Sequence, residues 1–389
     1  MKAIQRRQSK PLKPLPKPHG VDFLLLLFIL MICALGLVMM FSASYYYGIT
    51  SKGDGLFFLK RQIAFFAIGI AGMTAAAIIP YRVFRNGWVM IALYAAAIAS
   101  LAATLKWGTS ILGAKRWLDI GFFSLQPSEL CKVVLIMTWA GIMSRAVNMQ
   151  HLIVGVLPCV LVVAPPVVLI LLQPNMSMAA ILCVLMYIML YIGGTMRSHR
   201  LALLVVGIGM ALLLILLKGY RAERLFGFLD QNSDLLGRNY QLNQAKIALG
   251  SGGFFGQGLS FSRQKLGFLP ERENDYILAI IGEELGFAGI LGLLSMYMAV
   301  IWRSVKVAMN AFDRYGRLLS AGIASVLAVQ VILNVAVVSG AMPTTGQTLP
   351  FISYGGTSMV VFLTAMGLIL SVSRYTKVTT KNAGPKQQE

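Results

Sequence analysis

Charged residues are scarce in this chain, and acidic residues are the scarcest of them. Asp, Glu, Lys and Arg make up 12% of the 389 residues, and only 14 residues are acidic, whereas soluble domains average roughly 25% charged residues. Hydrophobic residues reach 57% of the sequence. This composition excludes an ordinary soluble domain and indicates an integral membrane protein.

Histidine and cysteine are also rare, which excludes several kinds of site. The three histidines, His19, His151 and His199, do not have the spacing of metal ligands. The four cysteines lie within or at the ends of apolar segments, which favours packing over disulfide formation. The sequence also lacks a Ser/His/Asp pattern and a phosphate-binding P-loop.

Long apolar runs, in contrast, are abundant, and ten of them are about long enough to cross a bilayer. They are continuous and do not alternate as barrel strands do, so we expect helices, whose backbones satisfy their own hydrogen bonds in lipid. The predicted spans are 21–43, 57–79, 83–105, 128–144, 152–172, 176–195, 201–217, 276–302, 318–340 and 357–373. The sequence therefore predicts an all-α polytopic membrane protein with about ten transmembrane helices.

These spans form one predicted membrane domain over residues 21–374, between a basic tail at 1–20 and a second tail at 375–389. One large extracytoplasmic loop, 218–275, separates helices seven and eight. Its phenylalanines, including Phe254 and Phe255, favour an ordered loop lying on the membrane surface. The long first apolar run predicts a retained helix rather than a cleaved signal peptide.

The basic residues predict the orientation of the chain in the membrane. The net charge is +20, but the basic residues occur in short runs at span ends and form no aromatic-interleaved patch, so we expect no nucleic acid partner. Nineteen of the 34 basic residues fall on one side of the ten-span arrangement. The positive-inside rule makes that side, with both termini, cytoplasmic.

Five of the 14 acidic residues cluster in PERENDYILAIIGEELG, where a polar loop enters the eighth span. Carboxylates are costly near lipid, so this cluster is a functional-site hypothesis with Asp275 as the leading residue. The alternative is plain helix capping by Asn274 or Asp275. Glu283 and Glu284 lie about 12 Å deeper and point about 100° apart, so at most one shares the cleft of Asp275.

A second candidate segment is GAKRWLDIGFFSLQPSELCK, residues 113–132, between spans three and four. Lys115, Arg116 and Lys132 can converge on one anionic group, because Glu129 and Lys132 are three residues apart at a helix start. The alternative is interfacial anchoring by Arg116, with Glu129 and Lys132 paired only with each other. The residues alone leave both interpretations open.

Two further segments, MPTTGQTLPFISYGGTS at 342–358 and QPN at 173–175, interrupt apolar sequence with proline and glycine. Irregular backbone at membrane depth is tolerated only where it is buried in protein or lines a cavity. A role in ligand binding and a role as tight turns between helices are both consistent with these residues.

With these motifs in this order, the chain resembles the SEDS family (shape, elongation, division and sporulation). It is most similar to the FtsW and SpoVE branch of that family, which is related to RodA. The resemblance covers nearly the whole chain and rests on six segments. They are GLVMMFSAS, GAKRWLDIGFFSLQPSEL, QPN, NYQLNQAKIALGSGGFFGQGLSFSRQKLGFLPE, NDYILAIIGEELG and PTTGQTLPFISYGGTS.

The resemblance implies a peptidoglycan glycosyltransferase that polymerises lipid II at the outer face of the bacterial cytoplasmic membrane. It implies a class B penicillin-binding transpeptidase and divisome-type proteins as partners, and a role in division or sporulation. Asp275 is the expected general base, and the leaving group is a polyprenyl pyrophosphate. The predicted substrate-binding residues are Lys115, Arg116, Glu129, Lys132, Gln241, Lys265, Glu271 and Ser353. A divalent cation, Mg²⁺ or Mn²⁺, held by outer carboxylates is a further expectation.

The chain departs from the family pattern at Asn175, where aspartate is common after Gln-Pro, so this position carries no charge. Two other functions fit the residues. Ten spans, broken backbone, and Glu283 and Glu284 inside the membrane are also features of transporters, so a lipid II flippase is the main alternative. A scaffold for a transpeptidase would need only the surfaces of the spans.

Overall fold

The computed structural model describes residues 14–111, 114–119, 121, 123–216, 228, 230, 237 and 239–376. Most of both predicted tails and most of the first part of the large loop lie outside these residues. The α-helices of the described chain are α1 Phe23–Lys52, α2 Phe57–Ile78, α3 Gly87–Trp107, α4 Pro127–Arg145, α5 Leu157–Leu172, α6 Met176–Gly193, α7 Arg197–Leu216, α8 Tyr240–Ser251, α9 Ile277–Asn310, α10 Arg314–Val338 and α11 Gly356–Ser373.

Every one of the ten predicted spans is helical, which confirms the all-α polytopic architecture. Within the described residues, nine helices are long and apolar enough to cross a membrane. The one predicted span outside these nine is the fourth, 128–144, which forms α4; this helix has 19 residues but is less apolar because it carries Ser128, Glu129 and Lys132. The remaining helix, α8, has 12 residues and belongs to the predicted outer loop.

Two helices, α1 and α9, continue eight or more residues past the ends of their predicted spans. Helix α1 continues past residue 43 to Lys52, where Gly53 adopts a left-handed conformation and its N–H bonds to the Ile49 carbonyl. Helix α9 runs to Asn310, well past residue 302, but its path is broken at Gly286, whose φ of 69° and ψ of −168° are not helical. Both extensions contain polar residues, so they lie beyond the apolar runs from which the spans were predicted.

The centre of the bundle is formed by α11, which is buried along almost its whole length. Helix α2 packs tightly against it because glycines remove side chains from the contact. A Cβ at Gly69 would meet Leu363 of α11, and one at Gly72 would meet Thr364. Small residues give this close approach in membrane proteins, where packing rather than hydrophobic burial holds helices together.

A small antiparallel sheet, which the sequence analysis did not predict, lies between α3 and α4. Its strands are β1 Thr109–Ile111, β2 Ala114–Asp119 and β3 Ser124–Leu125, in the order β1-β2-β3. Ser110 pairs with Lys115, and Leu118 pairs with Leu125. Because side chains alternate along a strand, Lys115 and Arg116 of β2 point to opposite faces.

Ion pairs join the helices at the end of the bundle that the sequence predicts to be cytoplasmic. The Arg303 guanidinium at the end of α9 lies 2.6 Å from the Asp22 carboxylate before α1, and Arg82 lies 2.7 Å from Asp313. Asp22 and Asp313 are also the N-caps of α1 and α10. The four cysteines are free, as predicted, and three of them are buried.

Candidate active site

Asp275 lies two residues before α9 begins, at the opposite end of the bundle from these ion pairs. Its carboxylate is partly buried and accepts no hydrogen bond from the part of the chain that the structure describes. Burial, reinforced by the negative charge of Glu271, raises the pKa of Asp275 from 3.8 to about 7. A carboxylate with this pKa can both take up and release a proton near neutral pH.

The irregular segment 342–355 holds the backbone around Asp275. The Ser353 hydroxyl donates to the Asn274 carbonyl at 2.7 Å and accepts from the Leu349 N–H at 2.7 Å. The Tyr354 N–H donates to the Glu273 carbonyl at 2.8 Å. A Cβ at Gly346, whose φ is 68°, would lie 3.5 Å from an Asp275 carboxylate oxygen. Segment 342–355 therefore forms one wall of the site, and the buried Ser353 connects this wall to the backbone beside Asp275.

Helix α10 joins Asp275 to Segment 342–355. The Asn334 side-chain N–H₂ donates to the carbonyls of Asp275, at 2.8 Å, and Gln347, at 2.9 Å. One turn earlier, the Gln330 side chain donates to the Thr348 carbonyl at 3.1 Å. Asn334 and Gln330 are four residues apart, so they lie on one face of α10.

Gln330 also bonds to Lys132, the deepest of the predicted cations. The Lys132 ammonium lies 2.6 Å from the Gln330 side-chain oxygen and 2.9 Å from the Glu129 carboxylate, and Lys132 is fully buried. At 1.5 Å per residue, Gln330 lies about 6 Å deeper along α10 than Asn334. Lys132 is thus coupled to the Asp275 site through one helix face, but it is already neutralised by Glu129.

The other two predicted cations, Lys115 and Arg116, lie on strand β2 of the small sheet, and the structure does not bring them into contact with Lys132. Lys115 is exposed on β2, whereas Arg116 is partly buried. The Arg116 guanidinium donates to the Gln173 and Pro174 carbonyls of the QPN segment. Asn175 caps α6 by accepting from the Met178 N–H at 3.2 Å, so this position has a structural use as an amide.

Thr357, at the start of α11, links strand β3 and the residue before α4 to the rest of the site. Its hydroxyl donates to the Ser124 carbonyl at 3.0 Å and accepts from the Gln126 N–H at 3.0 Å. The 113–132 segment, the acidic cluster and the 342–358 segment therefore meet at one end of the bundle. All three segments stand out in the sequence, but their contacts were not predicted from it.

Glu283 and Glu284, the deeper acidic residues, bind the outer loop instead of opening to a cleft. Glu284 accepts from the Ser42 hydroxyl at 2.6 Å and pairs with the buried Lys265 ammonium at 2.7 Å. Glu283 accepts from the Ser262 hydroxyl at 2.5 Å and from the Arg263 N–H at 2.9 Å. Lys265, a predicted substrate-binding residue, is therefore enclosed in an ion pair.

The same stretch of α9 forms backbone hydrogen bonds with the glycine-rich loop. The N–H groups of Gln257 and Gly258 donate to the carbonyls of Glu283 and Glu284, at 2.9 and 3.0 Å. A Cβ at Gly256 would collide with the Glu284 carbonyl, and one at Gly286 would collide with the Gly256 N–H group. The break in α9 thus exposes backbone groups that the loop satisfies.

Two remaining predicted residues lie nearer the surface. Glu271 is exposed, has a positive φ of 54°, and its carboxylate accepts from the Asn274 side chain at 2.6 Å. Gln241 is partly buried in the first turn of α8. The neighbouring Glu273 is buried, and this burial raises its pKa.

Gln330 and Asn334 were not predicted from the sequence. Both are almost fully buried. The signal that could have found them is their spacing, since two amides four residues apart in an apolar span put polar groups on one helix face at membrane depth. Asn334 Oδ1 and Gln347 Oε1, both buried, have no hydrogen-bond partner among the described residues. Two acceptor oxygens beside the site are thus available to a donor.

The described residues contain no group of three or more His, Cys, Asp or Glu side chains that could hold a metal ion. Glu271 and Asp275 provide two carboxylates. Mg²⁺ is commonly held by one or two carboxylates together with water and substrate phosphates. The residues therefore fit a cation that arrives with its substrate better than one held in a closed protein cage.

Comparison with known proteins places the chain among peptidoglycan-synthesis proteins. The profile of the FtsW/RodA/SpoVE family, described as cell cycle proteins, matches residues 23–378. A probable peptidoglycan glycosyltransferase FtsW from Trichlorobacter lovleyi is 38% identical, over 90% of this chain and 93% of the relative. The stage V sporulation protein E of Bacillus subtilis is 34% identical, over 93% of this chain and 99% of the relative.

Solved structures show the same fold. The crystal structure of rod shape determining protein RodA from Thermus thermophilus matches with a TM-score of 0.69 and 27% identity, over 92% of this chain and 98% of RodA. A chain of a peptidoglycan synthase complex that coordinates polymerization and crosslinking matches with a TM-score of 0.73 and 28% identity, over 91% of this chain and 98% of the other.

Proposed function

The chain belongs to the FtsW/RodA/SpoVE family, and on that premise we propose that it is a peptidoglycan glycosyltransferase that polymerises lipid II, in cell division or sporulation. The observation that carries the proposal is Asp275. It is a carboxylate with a pKa of about 7, free of hydrogen bonds from the described residues, where three motif segments meet. Relatives named peptidoglycan glycosyltransferase support the same activity.

Asp275 acts as the general base. An acceptor hydroxyl ionises only at high pH, so the attack needs a group that removes the proton as the new bond forms. The Asp275 carboxylate takes the proton of the 4-hydroxyl of the acceptor sugar, and that oxygen attacks the anomeric carbon of the donor. The bond from this carbon to the pyrophosphate breaks, polyprenyl pyrophosphate leaves, and the configuration inverts.

Asn334 and Ser353 fix the direction of the base. Each donates a hydrogen bond to a backbone carbonyl next to the carboxylate, of Asp275 and Asn274 respectively. The carboxylate itself accepts none of these bonds, so its basicity is preserved while its backbone is held in place. A positioned base contributes more than a mobile one because the cost of orientation is met before the substrate binds.

The leaving pyrophosphate requires positive charge. Lys115 is exposed and makes no ion pair with the described residues, so it is the first of the predicted cations to meet the substrate. Arg116 orients the QPN turn, and Lys132 adds a buried positive charge that Glu129 balances. We assign phosphate contact to Lys115 and electrostatic support to the other two.

A divalent cation would be held by Glu271 together with substrate phosphates and water, with Asp275 left to act as the base. The cation would supply Lewis-acid stabilisation of the pyrophosphate charge. A transpeptidase of the penicillin-binding class is the proposed partner, because the peptidoglycan synthase complex that this chain resembles combines polymerization with crosslinking.

Purified protein in liposomes with labelled lipid II tests the activity directly. We expect glycan polymer to form and the polymer yield to fall on addition of a chelator. Movement of lipid II between leaflets without polymer would instead favour the flippase alternative. The acidic residues that motivated that alternative, Glu283 and Glu284, are occupied by loop contacts.

A further inference from the structure

An open cavity of about 420 Å³ lies at the end of the bundle opposite Asp275. It is formed by the segment that leads into α1, the last turns of α9 and the end of α11. Its polar lining includes Asp22 before α1, Arg303, Lys306 and Asn310 of α9, Ser373 at the end of α11 and Thr376 after it. None of these residues takes part in the proposed transfer reaction, so the cavity needs its own explanation.

Two cations, Arg303 and Lys306, and one carboxylate, Asp22, line this cavity, and Asp22 pairs with Arg303. Lys306 is exposed and has no carboxylate partner within the described residues, and its ammonium lies 5.4 Å from the centre of the Trp302 ring. Arg303 is held by Asp22 through two contacts, at 2.6 and 3.3 Å, which use only part of its fork of N–H groups. Its orientation is thus fixed before any ligand binds.

The N-terminus of α1 adds amide donors to the same cavity. Asp22 caps the helix at the Leu25 N–H, and the next amide bonds within the helix, so Phe23 and Leu24 offer N–H groups without acceptors in the described chain. Both residues line the cavity. Helix amides, a guanidinium and an ammonium together form a site suited to the oxygens of a phosphate group.

A second, apolar cavity of about 260 Å³ adjoins the first, and Val21 lines both. Its walls are mostly apolar side chains, including Leu26, Met73, Ala77 and Leu370. Trp302, 59% exposed, stands beside the charged cavity, as aromatic residues do at the level of lipid headgroups. A phosphate site at headgroup depth next to an apolar groove matches the two parts of a phospholipid.

We propose that the paired cavities around Val21 bind an anionic phospholipid, with its phosphate on Lys306, Arg303 and the α1 amides and one acyl chain in the apolar groove. The ligand class is a glycerophospholipid of net negative charge. A zwitterionic lipid carries its own ammonium group, which Arg303 and Lys306 repel, so the site discriminates by headgroup charge.

Native mass spectrometry of the delipidated full-length protein, titrated with phosphatidylglycerol or with phosphatidylcholine of the same chains, tests the proposal. We expect phosphatidylglycerol to bind more tightly, and Lys306→Gln to weaken it about fivefold, since one lysine near a lipid surface contributes roughly that factor. The matched control is Lys106→Gln, because Lys106 also lies over a tryptophan, Trp107, at 5.1 Å, but lines neither cavity.

The proposal would be overturned if both lysine variants lost the same affinity for phosphatidylglycerol, or if Lys306→Gln lost none. Val21→Trp fills the junction between the cavities without changing charge, and we expect it to weaken phosphatidylglycerol too. Inorganic phosphate distinguishes the sources of the ligand. If millimolar inorganic phosphate does not compete with phosphatidylglycerol, the result supports a lipid ligand. If phosphate displaces phosphatidylglycerol fully, the ligand is a soluble anion and the lipid proposal is wrong.

Discussion

At the scale of the residue, the account depends on the ionisation of Asp275. The pKa of this carboxyl is raised to about 7 by burial and by Glu271, so the base is protonated and inactive at acidic pH. We expect polymerisation to rise with pH through about 7. Glu271→Gln removes the nearby negative charge, which lowers the pKa of Asp275. Because Glu271 is also the proposed cation ligand, this shift is measured without substrate or cation, by infrared titration of the Asp275 carboxyl in both chelator-treated proteins; an unchanged midpoint contradicts the coupling.

The same pKa predicts how Asp275 affects stability. Because the folded-state pKa lies above the ordinary value of 3.8, the ionised form is disfavoured in the fold, and stability is lost as pH rises from about 4 through 7. Asp275→Asn should therefore raise the melting temperature at pH 8 and leave it unchanged near pH 4. Asp54→Asn is the control, because its partner Lys60 lowers the pKa of that exposed carboxyl; an equal rise there would remove the explanation.

Lys132 either contributes positive charge to the substrate site or only pairs with Glu129, and substitutions distinguish these two roles. Lys132→Met alone leaves Glu129 buried without a partner, which typically costs 3–5 kcal/mol. We expect low yield of folded protein, measured by size-exclusion chromatography, and recovery of folding when Glu129→Gln is added. If the recovered double variant polymerises lipid II at the normal rate, the positive charge of Lys132 has only a structural role.

At the scale of the element, the sequence predicted where helices occur better than where they break. Apolar length is readable one segment at a time, and it located all ten spans. The break at Gly286 depends on backbone bonds to the Gly256 region, about thirty residues away, and glycine alone does not reveal such a partner. The small three-stranded sheet was also not predicted, because its strands are too short to carry a periodic signal.

The break in α9 yields a prediction of its own. Gly256→Ala places a methyl group against the Glu284 carbonyl, and the φ of 81° is also unfavourable for alanine. We expect the loop to detach, with a lower melting temperature and faster proteolysis between residues 251 and 263. Gly250→Ala is the matched control, because a Cβ there meets nothing within 4 Å. Equal protease sensitivity of the two variants would contradict the docking of the loop.

At the scale of the whole molecule, composition and charge were sufficient to predict a multi-pass membrane protein. They could not predict the site, because its parts are far apart in the chain: Gln126 with Thr357, Asn274 with Ser353, and Lys132 with Gln330. Each contact depends on how helices pack. The acidic cluster and the family resemblance both predict Asp275 as the base, but only the packing shows that Asn334 and Ser353 hold the backbone beside it.

The orientation in the membrane remains a prediction from the positive-inside rule. We expect a cysteine placed at Lys115 to react with a membrane-impermeant maleimide in intact cells. A cysteine at exposed Ser198, at the other end of the bundle, should react only after permeabilisation. The native Cys33, Cys131 and Cys159 are buried, and the exposed Cys183 is replaced by serine in both variants so that it gives no background. The reverse pattern of labelling would place Asp275 in the cytoplasm and contradict the proposed mechanism.

The initial rate of glycan polymer formation from purified lipid II measures whether Asp275 is the base. Loss of a general base typically lowers a rate 10²- to 10⁴-fold, so we predict a fall in that range for Asp275→Asn in folded protein. Asp54→Asn, another predicted outer-side acid, should keep the parental rate. Parental rates for Asp275→Asn would contradict the account.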